Sequence, residues 1–390
     1  MPATSGATPC AADGTLIHAR FAAVLEELGS PLNAPFALAV SGGGDSIALM
    51  HLVADWLKAC GIPFGRGSVL TVDHGLRPGS AKDAAAAAAW ARGAGFAAHV
   101  LGWRGAKPRS NVEDAARNAR YRLLGDWCRA NGVATLLLAH TRDDQAETFL
   151  LRLGRGSGVD GLSAMRTRAP FPLAGYGGIE LVRPLLGIAR DELRADLRAR
   201  GAPWLDDPMN EDPRFARVRI RRAMSVLEDA GISAARIAQA ARHLRRAREA
   251  LDADTERFLS RHARVTADGT ALLDGAALQS APRETALRAL SAILMQVSGK
   301  AYRPRFERLE HLYEALGTFP AGHTLSGCRI GAAPKESRPF GTATLEVSRE
   351  KPRTLRTGTG HAVREKQPPA AVAIGKLPKK GRIVGRLSRS

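Results

Sequence analysis

Two short stretches carry residues able to do chemistry on a charged substrate. The first is Ser41-Gly42-Gly43-Gly44-Asp45-Ser46. Three glycines let a backbone approach a ligand closely, and two serine hydroxyls add donors. A helix starting here presents unpaired N–H groups and a positive dipole end, which suits phosphate. Asp45 can hold a metal ion against phosphate oxygens. The same residue types are also ordinary turn and N-cap chemistry. The second stretch is His140-Thr141-Arg142-Asp143-Asp144-Gln145-Ala146-Glu147. Asp144 and Glu147 stand three apart and share a face if the segment is helical. Two carboxylates on one face can hold Mg²⁺ or position an ammonium group. Acids also belong in the first turn of a helix, and Thr141 with Asp144 has capping-box spacing. Spacing alone leaves both readings standing.

Other polar groups surround these two. Asp73-His74-Gly75-Leu76-Arg77 closes an apolar run. Arg117 and Arg120, beside Tyr121, could clamp an α-phosphate and stabilise charge developing on it, or form a solvated helix face. Arg152 to Gly161 is basic and glycine-rich. It suits closure over a substrate or a single-stranded backbone, and equally an ordinary helix C-cap and connector. Trp204-Leu205-Asp206-Asp207-Pro208-Met209-Asn210 precedes Arg214, Arg217, Arg219, Arg221 and Arg222; that density of arginine looks like an RNA-facing surface. The glycine stretch is not a Walker A loop, because no lysine follows its last glycine. Its spacing is also wrong for the dinucleotide fingerprint.

The elements that must position these groups follow from hydrophobic period. Phe36–Val40, Ser68–Asp73, Ala97–Trp103, Thr135–Ala139 and Glu180–Leu186 read as buried strands. Between them, helical spacing covers Ile47–Cys60, residues 80–94, Val112–Ala130 and a segment from about Asp143. Ser110 and Glu113 have capping-box spacing ahead of the third of these. A further short helix lies within residues 14–29. Strands alternating with helices imply a mostly parallel sheet covered on both faces. Ligands then bind beyond the carboxyl ends of the strands, where the 41–46, 73–74 and 140–147 groups all fall. Residues 217–262 and 280–316 read as helical, and 320–348 as short strand-like pieces. The last forty residues hold eleven Lys/Arg against one Glu, the composition of a flexible basic tail. The expected organisation is an N-terminal extension and helix at 1–30 and an α/β domain carrying the phosphate-suited loop at 31–215. A helical to α+β RNA-binding region at 216–348 and a basic tail at 349–390 follow.

Composition narrows the class of partner. The chain has 390 residues and a formal charge of +19, which favours RNA or DNA over anionic lipid. Cys10, Cys60, Cys128 and Cys328 form no C-x-x-C pair, so neither a zinc site nor a thioredoxin-like motif is signalled. No signal-peptide pattern and no apolar run of about 18 residues is present, so the chain reads as cytoplasmic, without a membrane partner.

The 41–46 loop resembles the SGGxDS loop of the PP-loop ATP-pyrophosphatases. The ordered set Ser41–Ser46, Asp73–Arg77, Asn111–Tyr121, Ala139–Glu147, Arg152–Met165, Arg183–Leu186 and Trp204–Arg221 resembles the bacterial tRNA(Ile)-lysidine synthetases. Thr141 stands where that family often has a second histidine, and Val218 where it commonly has asparagine. The resemblance implies an α/β fold with a Rossmann-like parallel sheet (PP-loop ATPase, adenine nucleotide alpha hydrolase-like), a mainly helical second domain and a small C-terminal region. It implies ATP and Mg²⁺ as cofactors, and free L-lysine and tRNA(Ile) with a CAU anticodon as partners. ATP would adenylate O2 of the wobble cytidine, and lysine would displace AMP at C2 to give lysidine. Ser41, Gly42, Gly43, Gly44 and Ser46 would cradle pyrophosphate, with Asp73 and His74 also at the nucleotide. Asp45 would hold Mg²⁺, and Arg117 or Arg120 would stabilise the α-phosphate. His140 would assist proton transfer or contact the nucleotide, and Asp144 and Glu147 would bind metal or the lysine ammonium. The alternatives are a PP-loop tRNA thiolase, which needs a reactive cysteine or iron–sulfur site, and a non-catalytic RNA-binding protein on a nucleotide-binding fold.

Overall fold

The computed structural model describes residues 16–105, 107–108, 110–206, 212, 214–300, 302–318 and 322–350. Cys10, residues 207–210 and the basic segment beyond 350 lie outside them. Contacts divide the chain into two units. The first holds the described residues up to Arg264 together with Ala276–Leu290; the second holds Val265–Gly275 and the described residues from Ser291.

In the first unit, α1 (Leu16–Glu27) leads into β1 (Phe36–Ala39), α2 (Gly44–Ala59), β2 (Gly67–Asp73), α3 (Ser80–Gly93) and β3 (Ala97–Gly102). The chain then passes through α4 (Val112–Ala130), β4 (Thr135–Leu138), α5 (Arg142–Leu153) and α6 (Val159–Leu162). A short β5 (Arg168–Pro170), β6 (Glu180–Val182) and α7 (Arg190–Ala199) complete the sheet region. Strand order is β3-β2-β1-β4-β6-β5. Every pairing is parallel except β5 with β6. β1 is the pivot: Phe36 is level with Gly67 of β2 on one side and Thr135 of β4 on the other. The chain winds outward from β1 through β2 and β3, then returns to β1's opposite edge as β4. The β1–β4 boundary is therefore the switch point where a crevice opens beyond the strand ends.

Alternation within the strands feeds two cores. Phe36, Leu38, Leu137 and Val182 pack with Phe21 and Leu25 of α1, Leu49, Leu52 and Val53 of α2, and Leu193 and Leu197 of α7. Ala37, Leu70, Leu136 and Leu138 face the other way, onto Tyr121, Leu124 and Cys128 of α4. Both faces are apolar, so these strands are continuous hydrophobic runs instead of alternating ones.

The remaining elements depart from the sequence reading in several places. The helix at 112 is not opened by a Ser110–Glu113 box. Its N-cap is Asn111 in the left-handed region, with no side-chain cap. The fifth strand stops at Val182, ahead of Pro184, which has no N–H for a ladder. The edge strand β5 was not foreseen. Residues 217–262 form two helices, α8 (Ala216–Asp229) and α9 (Ala234–His262). Gly231 at φ +81 separates them, and Ser233 caps the second. No gap in contacts falls at residue 215, because α8 and α9 both pack on α5. Arg245 donates to the Met165 carbonyl at 2.9 Å, which ties α9 to the sheet region.

β7 (Ala263–Val265), β8 (Ala271–Asp274), α10 (Gly275–Ser280), α11 (Arg283–Ser298) and α12 (Phe306–Thr318) follow, then β9 (His323–Leu325), β10 (Cys328–Ala332) and β11 (Thr344–Arg349). The boundary between units falls within α11. The second sheet runs β7-β8-β11-β10-β9, antiparallel from β8 to β9. Leu273, Ile330, Leu345 and Val347 are buried on it. No helix among the described residues is long and apolar enough to cross a membrane.

Leu137 lies fully buried at the sheet's centre. Replacing it with alanine is expected to destabilise the first unit by about 2–5 kcal/mol. Val226→Ala, on an exposed α8 side chain, should stay within about 0.5 kcal/mol. Urea unfolding curves of the two variants check both.

Candidate active site

A cleft of about 1060 Å³ opens at the switch point. Ser41, Gly43, Gly44, Asp45, Ser46, Asp73, His74, Arg117, Arg120, His140, Asp144 and Glu147 all line it. Gly42 is the one expected site residue set back from the wall.

The glycine loop leaves β1 and becomes the first turn of α2, which starts at Gly44 with Asp45 as its first acid. Its own hydroxyls shape it. Ser46 Oγ donates to the Gly43 carbonyl at 2.8 Å, and the Ser41 amide donates to Ser46 Oγ at 3.2 Å. Gly42 sits at φ +91, and a Cβ there would lie 2.6 Å from Leu205 Cδ1. Leu205 bridges in parallel to Gly43, and its amide donates to the Gly42 carbonyl at 2.9 Å. Trp204 lies over Gly44, its ring 3.6 Å from where a Cβ would stand. The Trp204–Leu205 segment therefore braces the loop, a contact its sequence did not announce.

Asp73 accepts from the Gly75 amide at 2.9 Å, fixing the turn after β2. His74 stands edge-on to Trp103. Burial, reinforced by Arg120, lowers its pKa. Arg117 and Arg120 extend from α4 over Tyr121, with guanidinium carbons 5.2 and 5.5 Å from the ring centre. Burial lowers the pKa of Arg120. His140, at the end of β4, is driven down to about 3 by burial, with Arg183, Arg120 and Arg217 adding to the effect and Asp144 opposing it. It is a neutral imidazole at physiological pH, and its Nδ1 is buried without a partner. A neutral ring of this kind contacts a ligand or accepts a hydrogen bond; it does not serve as a cation.

The capping reading of the acidic cluster holds, on one carboxylate oxygen of Asp144. Asp144 Oδ2 accepts from the Thr141 amide at 2.8 Å, and Thr141 Oγ1 accepts from the Asp144 amide at 3.3 Å. That is a capping box. Oδ1 of the same side chain faces the cleft. Burial alone would raise the pKa of Asp144, but Arg190, the Thr141 amide and Arg217 outweigh it and hold it below the usual range. At Asp45 the balance reverses: burial raises its pKa despite Arg190.

Arg190 is the cleft residue that spacing missed. It is the first residue of α7, and its amide donates to Asp143 Oδ2 at 2.8 Å. Its Nε donates to Asp45 Oδ2 at 3.1 Å, and its terminal nitrogens to Glu147 Oε1 and Asp144 Oδ1, both at 3.3 Å. Burial would lower its pKa, but the three carboxylates outweigh that and raise it. Arg221 donates to Glu147 Oε1 at 2.6 Å, and Arg217 lies 3.6 Å from Asp144 Oδ1. Two of the arginines read as RNA-facing thus point into the cleft, while Val218 between them is buried. Arg214, by contrast, pairs with Asp212. The Arg152–Gly161 stretch behaves as a connector. Arg152 donates to the Gly161 carbonyl, and Gln145 brackets the Met165 peptide on both sides.

Two outcomes follow from this geometry. Gly42→Ala should keep native far-UV circular dichroism but bind an ATP analogue at least tenfold more weakly, about 1.4 kcal/mol, by titration calorimetry. The His140 imidazole should show no NMR titration between pH 5 and 8; a midpoint near the ordinary 6.5 would contradict the burial argument.

Comparison with known proteins places this geometry. A family model for the PP-loop domain matches residues 16–228. The tRNA(Ile)-lysidine synthase of Ruegeria pomeroyi is 46% identical over 298 residues, covering 75% of this chain and 68% of the relative. That of Methylobacterium nodulans is 45% identical, covering 76% and 85%. That of Wolbachia pipientis is 37% identical, covering 76% and 68%.

Proposed function

The chain belongs to the tRNA(Ile)-lysidine synthase family of PP-loop proteins, and on that premise we propose that its cleft ligates free lysine to the wobble cytidine of a tRNA(Ile) with a CAU anticodon. The observation that carries this reading is the meeting of a phosphate-suited glycine loop and a cluster of three carboxylates across one cleft. The reaction has two displacements. Cytidine O2 attacks the α-phosphorus of ATP, the bond to the β-phosphate oxygen breaks, and pyrophosphate leaves. The ε-nitrogen of lysine then attacks C2, the C2–O bond breaks, AMP leaves and the nitrogen loses a proton.

The residues divide this work by charge. The loop amides with Ser41 and Ser46 cradle pyrophosphate. Arg117 and Arg120 face the cleft from α4 and meet charge developing at the α-phosphate. Asp73 and His74 border the nucleotide. Glu147 and Asp144 take the lysine ammonium, and either carboxylate accepts the proton that the amine sheds. His140, neutral, contacts the nucleotide.

Asp45 and Asp144 Oδ1 are hard oxygen donors that already attract a cation, the guanidinium of Arg190, so they suit Mg²⁺. Among the described residues no group of three His, Cys, Asp or Glu side chains could hold a metal ion. Phosphate oxygens and water would complete its shell. A bound Mg²⁺ supplies charge neutralisation on the phosphates.

Sulfur transfer finds no thiol here among the described residues. Cys128 is buried on α4 with its thiol pushed up to about 12 by desolvation, Cys328 belongs to the other unit, and Cys60 does not line the cleft.

Incubation with unmodified tRNA(Ile), ATP and labelled lysine should place label in tRNA with equal release of AMP. No lysine incorporation would overturn the reading. Asp45→Asn should reduce AMP formation about 10²-fold or more, with tRNA affinity in a filter-binding assay essentially unchanged.

A further inference from the structure

Three carboxylates from two separate loop-to-helix junctions converge on one side chain. Each nitrogen of Arg190 takes a different acid: Nε takes Asp45, and the terminal pair takes Glu147 and Asp144. No two bonds go to the same carboxylate, so the guanidinium makes none of the bidentate pairs that arginine favours. It fills the centre of the cluster as a shared counter-ion. Two of them, Asp144 and Glu147, are the carboxylates to which the proposed reaction must bring the lysine ammonium. Arg190 and substrate cation therefore compete for one place.

The side chain also has a second place to go. Its backbone is fixed by the bond to Asp143, but the long stem carries several rotatable bonds. Arg194, one turn further along α7, shows where that face points. Its Cγ lies 3.9 Å from the position of a Cβ on Gly44. Its Nε is buried without a hydrogen-bond partner. The α7 face thus borders the glycine loop, and a phosphate group there would meet Arg194 first and lie beside Arg190.

We propose that Arg190 is an exchangeable counter-ion that holds Asp45, Asp144 and Glu147 while the cleft is empty and transfers to the nucleotide's phosphates, beside Arg194, when ATP binds, opening Asp144 and Glu147 to the ammonium of lysine. The proposal rests on the lysine-ligating reading of the cleft. Its physical logic is charge exchange. ATP brings negative charge that attracts the guanidinium, and its departure removes one positive charge from Asp45, Asp144 and Glu147, which Arg217 and Arg221 flank from α8, so that an incoming cation is favoured. Nucleotide and lysine then bind with positive coupling, and the coupling is reciprocal. Until ATP is present the lysine place is occupied by the protein itself, so lysine binds after or together with nucleotide.

The test is calorimetric titration of the full chain with lysine, without tRNA, in the presence and absence of a magnesium complex of an ATP analogue that cannot be cleaved between the α- and β-phosphates. The wild-type chain should bind lysine about tenfold or more tightly with the analogue, and lysine should tighten the analogue by the same factor. Arg190→Gln should bind lysine more tightly than wild type in the empty state, bind the analogue more weakly, and show a coupling factor near one. Arg190→Lys, which keeps a charge, should restore part of the coupling. Lysine affinity in the wild-type chain that the analogue leaves unchanged, or no lysine binding with the analogue present, overturns the proposal without any variant. Full coupling retained in Arg190→Gln overturns it equally. In each of those cases, lysine transfer to tRNA by the wild-type chain would leave the ligase reading intact; absence of transfer would remove the reading itself.

Discussion

The parallel pairing of β1 with β4 is the constraint on which the site depends. These strands are neighbours in the sheet but are separated in sequence by β2, β3 and three helices. Because the winding direction reverses between them, no crossover helix fills the space beyond their carboxyl ends. The glycine loop leaves one strand and the acidic cluster leaves the other. Register then fixes the separation of the two: Ala39 is level with Leu138, and the first turns of α2 and α5 start on opposite sides of one opening. The two hydrophobic cores have a functional meaning in this light, since they hold β1 and β4 from both faces and leave only their ends free.

What the fold creates at that opening is an electrostatic problem, and arginine solves it. Three carboxylates drawn close in a partly dehydrated cleft repel one another, and burying even a paired charge costs several kcal/mol. Arg190, Arg217 and Arg221 meet them from α7 and α8. The balance is uneven. Asp45 is pushed toward its protonated form by burial while Asp144 is held ionised by its surroundings. A cleft arranged in this way suits the proposed reaction, which brings in a polyanionic nucleotide and a cationic amine together.

A second ionic cluster joins α6, α9 and α11. Arg288, 5% exposed, donates to Glu284, to Asp252 of α9 and to Asp160 of α6. Arg248 reaches the same two aspartates. The connector after α5, the long helix α9 and the start of α11 are thereby fixed to one another. This is the reason that residues beyond 215, basic enough to suggest a separate RNA-binding region, group with the sheet. Their charge is partly spent on internal carboxylates.

The sequence by itself determined what is local. Strand and helix periods located β1 to β4 and α1 to α5 because packing on two faces imposes its spacing directly on the chain. The helix start beside Asp45 and the Thr141–Asp144 cap are likewise set by residues within a turn of one another. The resemblance in residues 36 to about 222 added the reaction class. Tertiary structure alone decided the rest. Arg190 meets Asp45 across 145 positions of chain, and Leu205 braces Gly42 from a segment that reads as a turn. The Arg190 side chain has no periodic signature, because its direction is set by where distant carboxylates lie and not by the helix it begins. Arg217 and Arg221 could not be told from their neighbours on α8 for the same reason. A long cationic side chain is placed by the field around it, and that field exists only once the strands are ordered.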